Sequence, residues 1–138
     1  MTASPPALLQ DELAAVLAAA GVGEGATLCC ALSGGVDSVL LLHGLAALRE
    51  RLGFRLVAAH VHHGLSPNAD DWAASCAGQC ARLGVSLQTF HVAVDRGDPA
   101  GLEAAARRVR HAALRRVACD WLVFGHHHVW NPESRSRP

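Results

Sequence analysis

The stretch Ser33-Gly34-Gly35-Val36-Asp37-Ser38 has the residue types and spacing of an anion site. It leaves a short apolar run and opens into a helical pattern. Adjacent glycines let the backbone turn tightly and come close to a ligand. A helix start offers unpaired N–H groups and the positive end of its dipole. Ser33 and Ser38 add hydroxyls that can donate to phosphate oxygens. Asp37 is the odd member, because a carboxylate repels phosphate. It is explained as a favourable first-turn residue, or by a Mg²⁺ ion bridging it to the phosphates. The loop has neither the GK[ST] ending of a Walker A loop nor a GxGxxG pattern.

Other candidates follow later apolar runs. His60, His62 and His63 close one such run, and Glu103 and Arg107 stand four apart on one face of a helical pattern. That spacing suits an ion pair as well as a site. Arg107, Arg108 and Arg110 form a basic stretch that suits RNA phosphate or simply a solvated face. Three consecutive histidines, His126 to His128, follow the last apolar run. Consecutive residues point to different sides, so they make a poor metal site. The five cysteines include no CxxC pair and read as small buried hydrophobes.

These residues sit at the ends of alternating elements. Residues 7–20 are helical, with Leu9, Leu13, Val16, Leu17 and Ala20 on one stripe and Pro5 and Pro6 before them. Runs 26–32, 54–62, 85–92 and 120–125 read as strands. Residues 37–52 and 101–117 read as helices, the second with Leu102, Ala106, Val109, Ala113 and Val117 inward. The helix within 66–84 has Ser66 as N-cap and Pro67 at its first position, with Trp72, Cys76, Cys80 and Leu83 inward. Strand alternating with helix at this spacing predicts an α/β fold: a doubly wound parallel sheet with helices on both faces. Ligands of such sheets bind at the carboxyl ends of the strands, where all the candidates lie.

Composition narrows the class. With 51% hydrophobic and 17% charged residues, the 138-residue chain folds rather than staying disordered. Zero formal net charge argues against a generally basic nucleic-acid binder. No run is long enough to span a membrane, and the first residues lack the pattern of a signal peptide, so the expected compartment is the cytoplasm.

"SGGVDS" resembles the PP-loop signature of the N-type ATP pyrophosphatases, which adenylate a substrate and release pyrophosphate. Three more stretches resemble the tRNA(Ile)-lysidine synthetase family: "HVHHGL" at 60–65, "EAAAR" at 103–107 and "GHH" at 125–127. The resemblance implies ATP and Mg²⁺ as cofactors, with Ser33, Gly34, Gly35, Val36, Asp37, Ser38, His60 and His63 around the nucleotide. It implies catalytic roles for Asp37, Glu103 and Arg107. It also implies tRNA(Ile) and free lysine as substrates: the wobble cytidine is adenylated at C2, and the ε-amine of lysine then displaces AMP. A homodimer is left open.

The resemblance stops at the end. The family pattern continues after "GHH" with one variable residue, two aspartates and a glutamine. Here Val129, Trp130 and Asn131 follow His128. Residues 1–128 are therefore expected to be a PP-loop domain, and 129–138 a non-matching tail left by a frame change or a truncation. That expectation carries others: an uncovered sheet edge and a chain that does not turn over substrate by itself. Two alternatives stand beside the ligase: a non-catalytic nucleotide-binding remnant, or another PP-loop tRNA modifier such as a thiolase.

Overall fold

In a computed structural model the elements run α1 (Pro5–Ala20), β1 (Thr27–Ala31), α2 (Val36–Leu52), β2 (Arg55–His62), α3 (Ala69–Leu83), β3 (Ser86–His91), α4 (Leu102–Leu114), β4 (Trp121–Val123) and β5 (Val129–Trp130). The structure describes residues 5–33, 35–65, 67–125 and 128–131. Gly34, His126, His127, the expected cap Ser66 and the inward side chain of Leu9 lie outside what is described.

The sheet order is β3-β2-β1-β4-β5. The first four strands are parallel, with Leu28 opposite Leu56 on one side of β1 and opposite Trp121 on the other. After Thr27, β1 is apolar because both its faces are covered. Leu28 and Cys30 face a core built with Leu13, Leu17, Leu41, Leu45, Cys76 and Cys80 from α1, α2 and α3. Cys29 faces a second core with Val61, Phe90, Ala113, Leu114, Leu122 and Trp130, under α4. Helices on both faces are thus as the sequence predicts.

Local chemistry sets the helix ends. Gly53 closes α2 in the left-handed region at φ 74°, its N–H returning to the Arg49 carbonyl. A Cβ there would also lie 2.7 Å from Glu24 Cγ, so the position suits only glycine. Before α4, Asp95 accepts from the Gly97 N–H at 2.9 Å and Asp98 from the Ala100 N–H at 2.8 Å. These turns shape the loop between β3 and α4.

Three expectations shift. α3 begins at Ala69, so Pro67 and Asn68 form the turn before it and Pro67 is not its first residue. Trp72 is 40% exposed, while Ala69, Cys76 and Cys80 are buried. At 100° per residue, Trp72 lies about 60° from Ala69 and falls on the flank of that stripe. In α4 the buried residues are Ala105, Ala113 and Leu114, and Leu102 is 40% exposed. One face of the N-terminal half of α4 fronts a cavity, so Leu102 and Ala106 line a void instead of core while Ala105 is buried.

The edge expected to be bare carries β5, antiparallel to β4 with Leu122 opposite Trp130. The Phe124 N–H donates to the His128 carbonyl at 2.9 Å to close the turn. Trp130 is 3% exposed, and the Arg115 guanidinium stacks over its indole at 5.2 Å. Trp130→Ala is expected to destabilise the fold by about 3 kcal/mol, measured by urea unfolding. A loss below about 0.5 kcal/mol would show that the indole contributes nothing to the second core.

Candidate functional site

β1 is the strand at which the connections reverse direction: β2 and β3 lie to one side of it, β4 and β5 to the other. A crevice at the carboxyl ends follows from that order. The loops after β1 and β4 form its walls. A cleft of about 410 Å³ is lined by Ser33, Gly35, Val36, Asp37, Ser38, His63, Arg110, Leu114, Phe124 and Gly125, among others.

The phosphate-type loop is held by its own serines. The Ser33 N–H donates to Ser38 Oγ at 3.2 Å, and Ser38 Oγ donates to the Gly35 carbonyl at 2.9 Å. The Gly35 N–H donates to Ser33 Oγ at 3.3 Å. Ser38 is buried, so its hydroxyl locks the loop from beneath, while Ser33 is exposed at the surface of the cleft. Gly35 is the N-cap of α2 and gives it no side-chain cap. The first-turn N–H groups are thereby left without a side-chain acceptor, which suits an anion. Gly125 abuts the loop: a Cβ there would sit 3.7 Å from both Asp37 Cβ and the Ser38 nitrogen. Val36 is 74% exposed at the mouth.

A second cavity of about 550 Å³ adjoins the first, lined by His63, Leu65, Leu102, Glu103, Ala104, Ala106, Arg107 and Arg110. His63 and Arg110 belong to both walls. The structure therefore brings together Ser33, Gly35, Val36, Asp37, Ser38 and His63 on the first cleft. It puts Glu103 and Arg107 on the second. The ion pair that their spacing allows is not formed, and both heads border the cavity.

His60 departs from the expectation. It lines neither cavity but is 4% exposed, with Nδ1 2.7 Å from the Leu32 carbonyl. Its ring lies behind the loop, because its β2 position points to the sheet face covered by α3, where Cys76 Sγ is 3.9 Å away. His62 joins the Asp70 carboxylate at 2.7 Å and packs on His91, tying β2 to the start of α3. Arg110 is the cleft residue that the sequence alone left with the RNA-facing arginines. Its signal was helical spacing, seven residues beyond Glu103 and three beyond Arg107 on the same side of α4.

Electrostatics agree with an anion site. Burial, and then the neighbouring Arg107, lower the Arg110 pKa. Burial, Arg110 and the other two histidines hold the His63 pKa below its ordinary value of 6.5. His63 Nδ1 also accepts from the Leu65 N–H at 3.4 Å, which favours the neutral ring. Two close guanidiniums without a carboxylate partner among the described residues leave positive potential at the cavity junction. Asp37 supplies the carboxylate on the first cleft. One carboxylate with phosphates and water is a donor set that Mg²⁺ accepts.

The PP-loop domain family model matches residues 8–130. The chain belongs to the PP-loop domain family. The segment in it that resembles the PP-loop signature is Ser33–Ser38. The chain is 64% identical over 112 residues to the tRNA(Ile)-lysidine synthase of Aromatoleum aromaticum, covering 81% of this chain and 26% of that protein. To the tRNA(Ile)-lysidine synthase of an Azoarcus species it is 56% identical over 119 residues, covering 86% of this chain and 27% of that protein. The chain thus spans about a quarter of the length of the curated relatives it matches. Among solved structures, the U34-tRNA thiolase NcsA from Methanococcus maripaludis with its [4Fe-4S] cluster aligns at TM-score 0.71 and 19% identity, covering 86% of this chain and 43% of that one. That likeness is one of fold.

The sign of the His63 shift gives a prediction. A lowered histidine pKa means that the folded state binds fewer protons than the unfolded one, so His63 opposes folding increasingly as pH falls below about 6.5. Its NMR titration midpoint is expected below that of a free histidine, and Arg110→Gln is expected to move it upward. An unmoved midpoint would separate the two side chains electrostatically.

Proposed function

We propose that this chain is the ATP-binding and adenylating part of a tRNA(Ile)-lysidine synthase. The observation that carries the reading is the pair of adjoining cavities with Arg110 and His63 on their common wall. Adenylation needs a nucleotide and an acceptor on either side of one α-phosphate. The PP-loop N–H groups and Ser33 receive the phosphates of ATP in the first cavity. The wobble cytidine enters the second. Its C2 oxygen attacks the α-phosphorus, and pyrophosphate leaves. The ε-amine of lysine then adds at C2, and AMP departs with the oxygen.

Arg110 lies where charge builds on the α-phosphate, and a donor preorganised there is worth most in the transition state. Neutral His63 can hydrogen-bond the same group without adding charge. Asp37 is the residue that would hold Mg²⁺, which when bound neutralises charge on the phosphates. Glu103 and Arg107 offer an acceptor and donors to the incoming substrate. The high identity to lysidine synthases supports this choice of reaction.

A nucleotide-binding protein without turnover is the second reading. It is favoured by Val129 and Trp130, which form β5 where the family's acidic pair is expected and put the Trp130 ring into the core. The thiolase reading has less support. Burial raises the Cys30, Cys76 and Cys80 pKa values, Cys80 to about 11, so these thiols are poor nucleophiles. Among the described residues, no group of three or more side chains could hold a metal.

Calorimetric titration with ATP and Mg²⁺ tests the shared first step. Binding is expected, and Asp37→Asn is expected to weaken it about tenfold with Mg²⁺ present but little in EDTA. Transfer of label from [α-³²P]ATP to tRNA(Ile) tests the second. Label on the tRNA supports the ligase. Binding without label supports the second reading, and no binding at all overturns both.

A further inference from the structure

The PP-loop leaves the sheet at Leu32. The last rung of the β1–β2 ladder is the Leu32 N–H donating to the Ala59 carbonyl at 2.8 Å. A parallel ladder would continue with a backbone N–H of β2 on the Leu32 carbonyl. That place is taken instead by a side chain, the His60 imidazole, whose Nδ1 lies 2.7 Å from the oxygen. A carbonyl only accepts, so Nδ1 carries the proton. Cys76 Sγ of α3 lies 3.9 Å from the same nitrogen. The ring is buried and lines neither cavity.

We propose that His60 is a positioning residue of the nucleotide site, its Nδ1–H on the Leu32 carbonyl setting the direction in which the PP-loop leaves the sheet. The proposal rests on the reading that this loop binds ATP phosphates. Leu32 is clamped on both its polar groups, by Ala59 and by His60. The next residue, Ser33, presents the first N–H and hydroxyl of the loop. Ser38 ties the loop to itself, but that tie travels with the loop. His60 anchors its start to the neighbouring strand. A loop free to rotate at Leu32 keeps its internal hydrogen bonds and loses the convergence of its N–H groups on one point. Positioned donors bind a phosphate more tightly than donors that must first be ordered.

Two substitutions separate this role from simple core filling. In His60→Asn the amide nitrogen can reach the position of Nδ1. In His60→Gln it reaches that of Nε2. Both are polar and smaller than histidine, so each lowers the urea midpoint. His60→Asn is expected to keep ATP affinity within about twofold of wild type, and His60→Gln to lose about tenfold. In the ligand-free chain, amide hydrogen exchange at Ser33 and Gly35 is expected to quicken in His60→Gln and not in His60→Asn. That exchange reads the loop without nucleotide. If wild type binds no ATP while the exchange pattern holds, the positioning role stands and the ATP reading falls. Equal affinities and equal exchange in the two variants overturn the proposal. If neither variant folds, the wild-type ¹⁵N imidazole spectrum decides: a proton on Nδ1 of His60 supports it, and a bare Nδ1 overturns it.

Discussion

The site depends on β1 being held along both edges. Its backbone pairs with β2 on one side and β4 on the other, and apolar layers cover both its faces. A strand so placed has no freedom to slip, because a one-residue shift would turn Leu28 and Cys30 into the wrong core. The Ser33–Ser38 loop inherits this rigidity at its first residue. The same pairing brings β4 alongside, so that Gly125 arrives against Asp37 and Ser38. The cleft is the gap left where two loops diverge from adjacent strands.

Much of this could be read from the sequence, for reasons that also explain the errors. The four parallel strands were legible because buried strands have short apolar runs bounded by turns. The turn from β1 into α2 was legible because adjacent glycines between an apolar run and a helical pattern mark such a turn. Leu102 misled because periodicity reports which residues share a face and not what that face meets. Along α4 the face meets core at Ala113 and Leu114 but a cavity at Leu102 and Ala106. Two residues are too few to show a period, so β5 was invisible. His60 and His63 are three residues apart and look alike in sequence. Only the pleat and the end of β2 put one behind the loop and the other on the cleft.

Charge and burial divide the arginines of α4 and its C-terminal turn in the same way. Arg115 and Arg116 stack on Trp130 and Phe90, which lie on β5 and β3, at opposite edges of the sheet but on one face. Arg108 pairs with Asp98. Among the described residues Arg107 and Arg110 have no such partner, and both border the cavities. A run that reads as one basic face is in fact a set of separate jobs. The structural partners are aromatic rings and an aspartate distant in sequence.

This division makes α4 a lever. Its C-terminal end is pinned by two aromatic stacks and by Ala113 and Leu114 in the core. Arg108, at its midpoint, ties it to Asp98 in the preceding loop, a pair whose arginine is mostly solvated, and salt screens such pairs. Thirteen helical residues make an arm of about 20 Å, so a tilt of about 10° at the pinned end sweeps Glu103 through about 3 Å. Arg110, nearer the pivot, moves about a third as far. The fold thus holds Arg110, on the wall shared by the two cavities, steadier than Glu103, with ionic strength acting on the looser end.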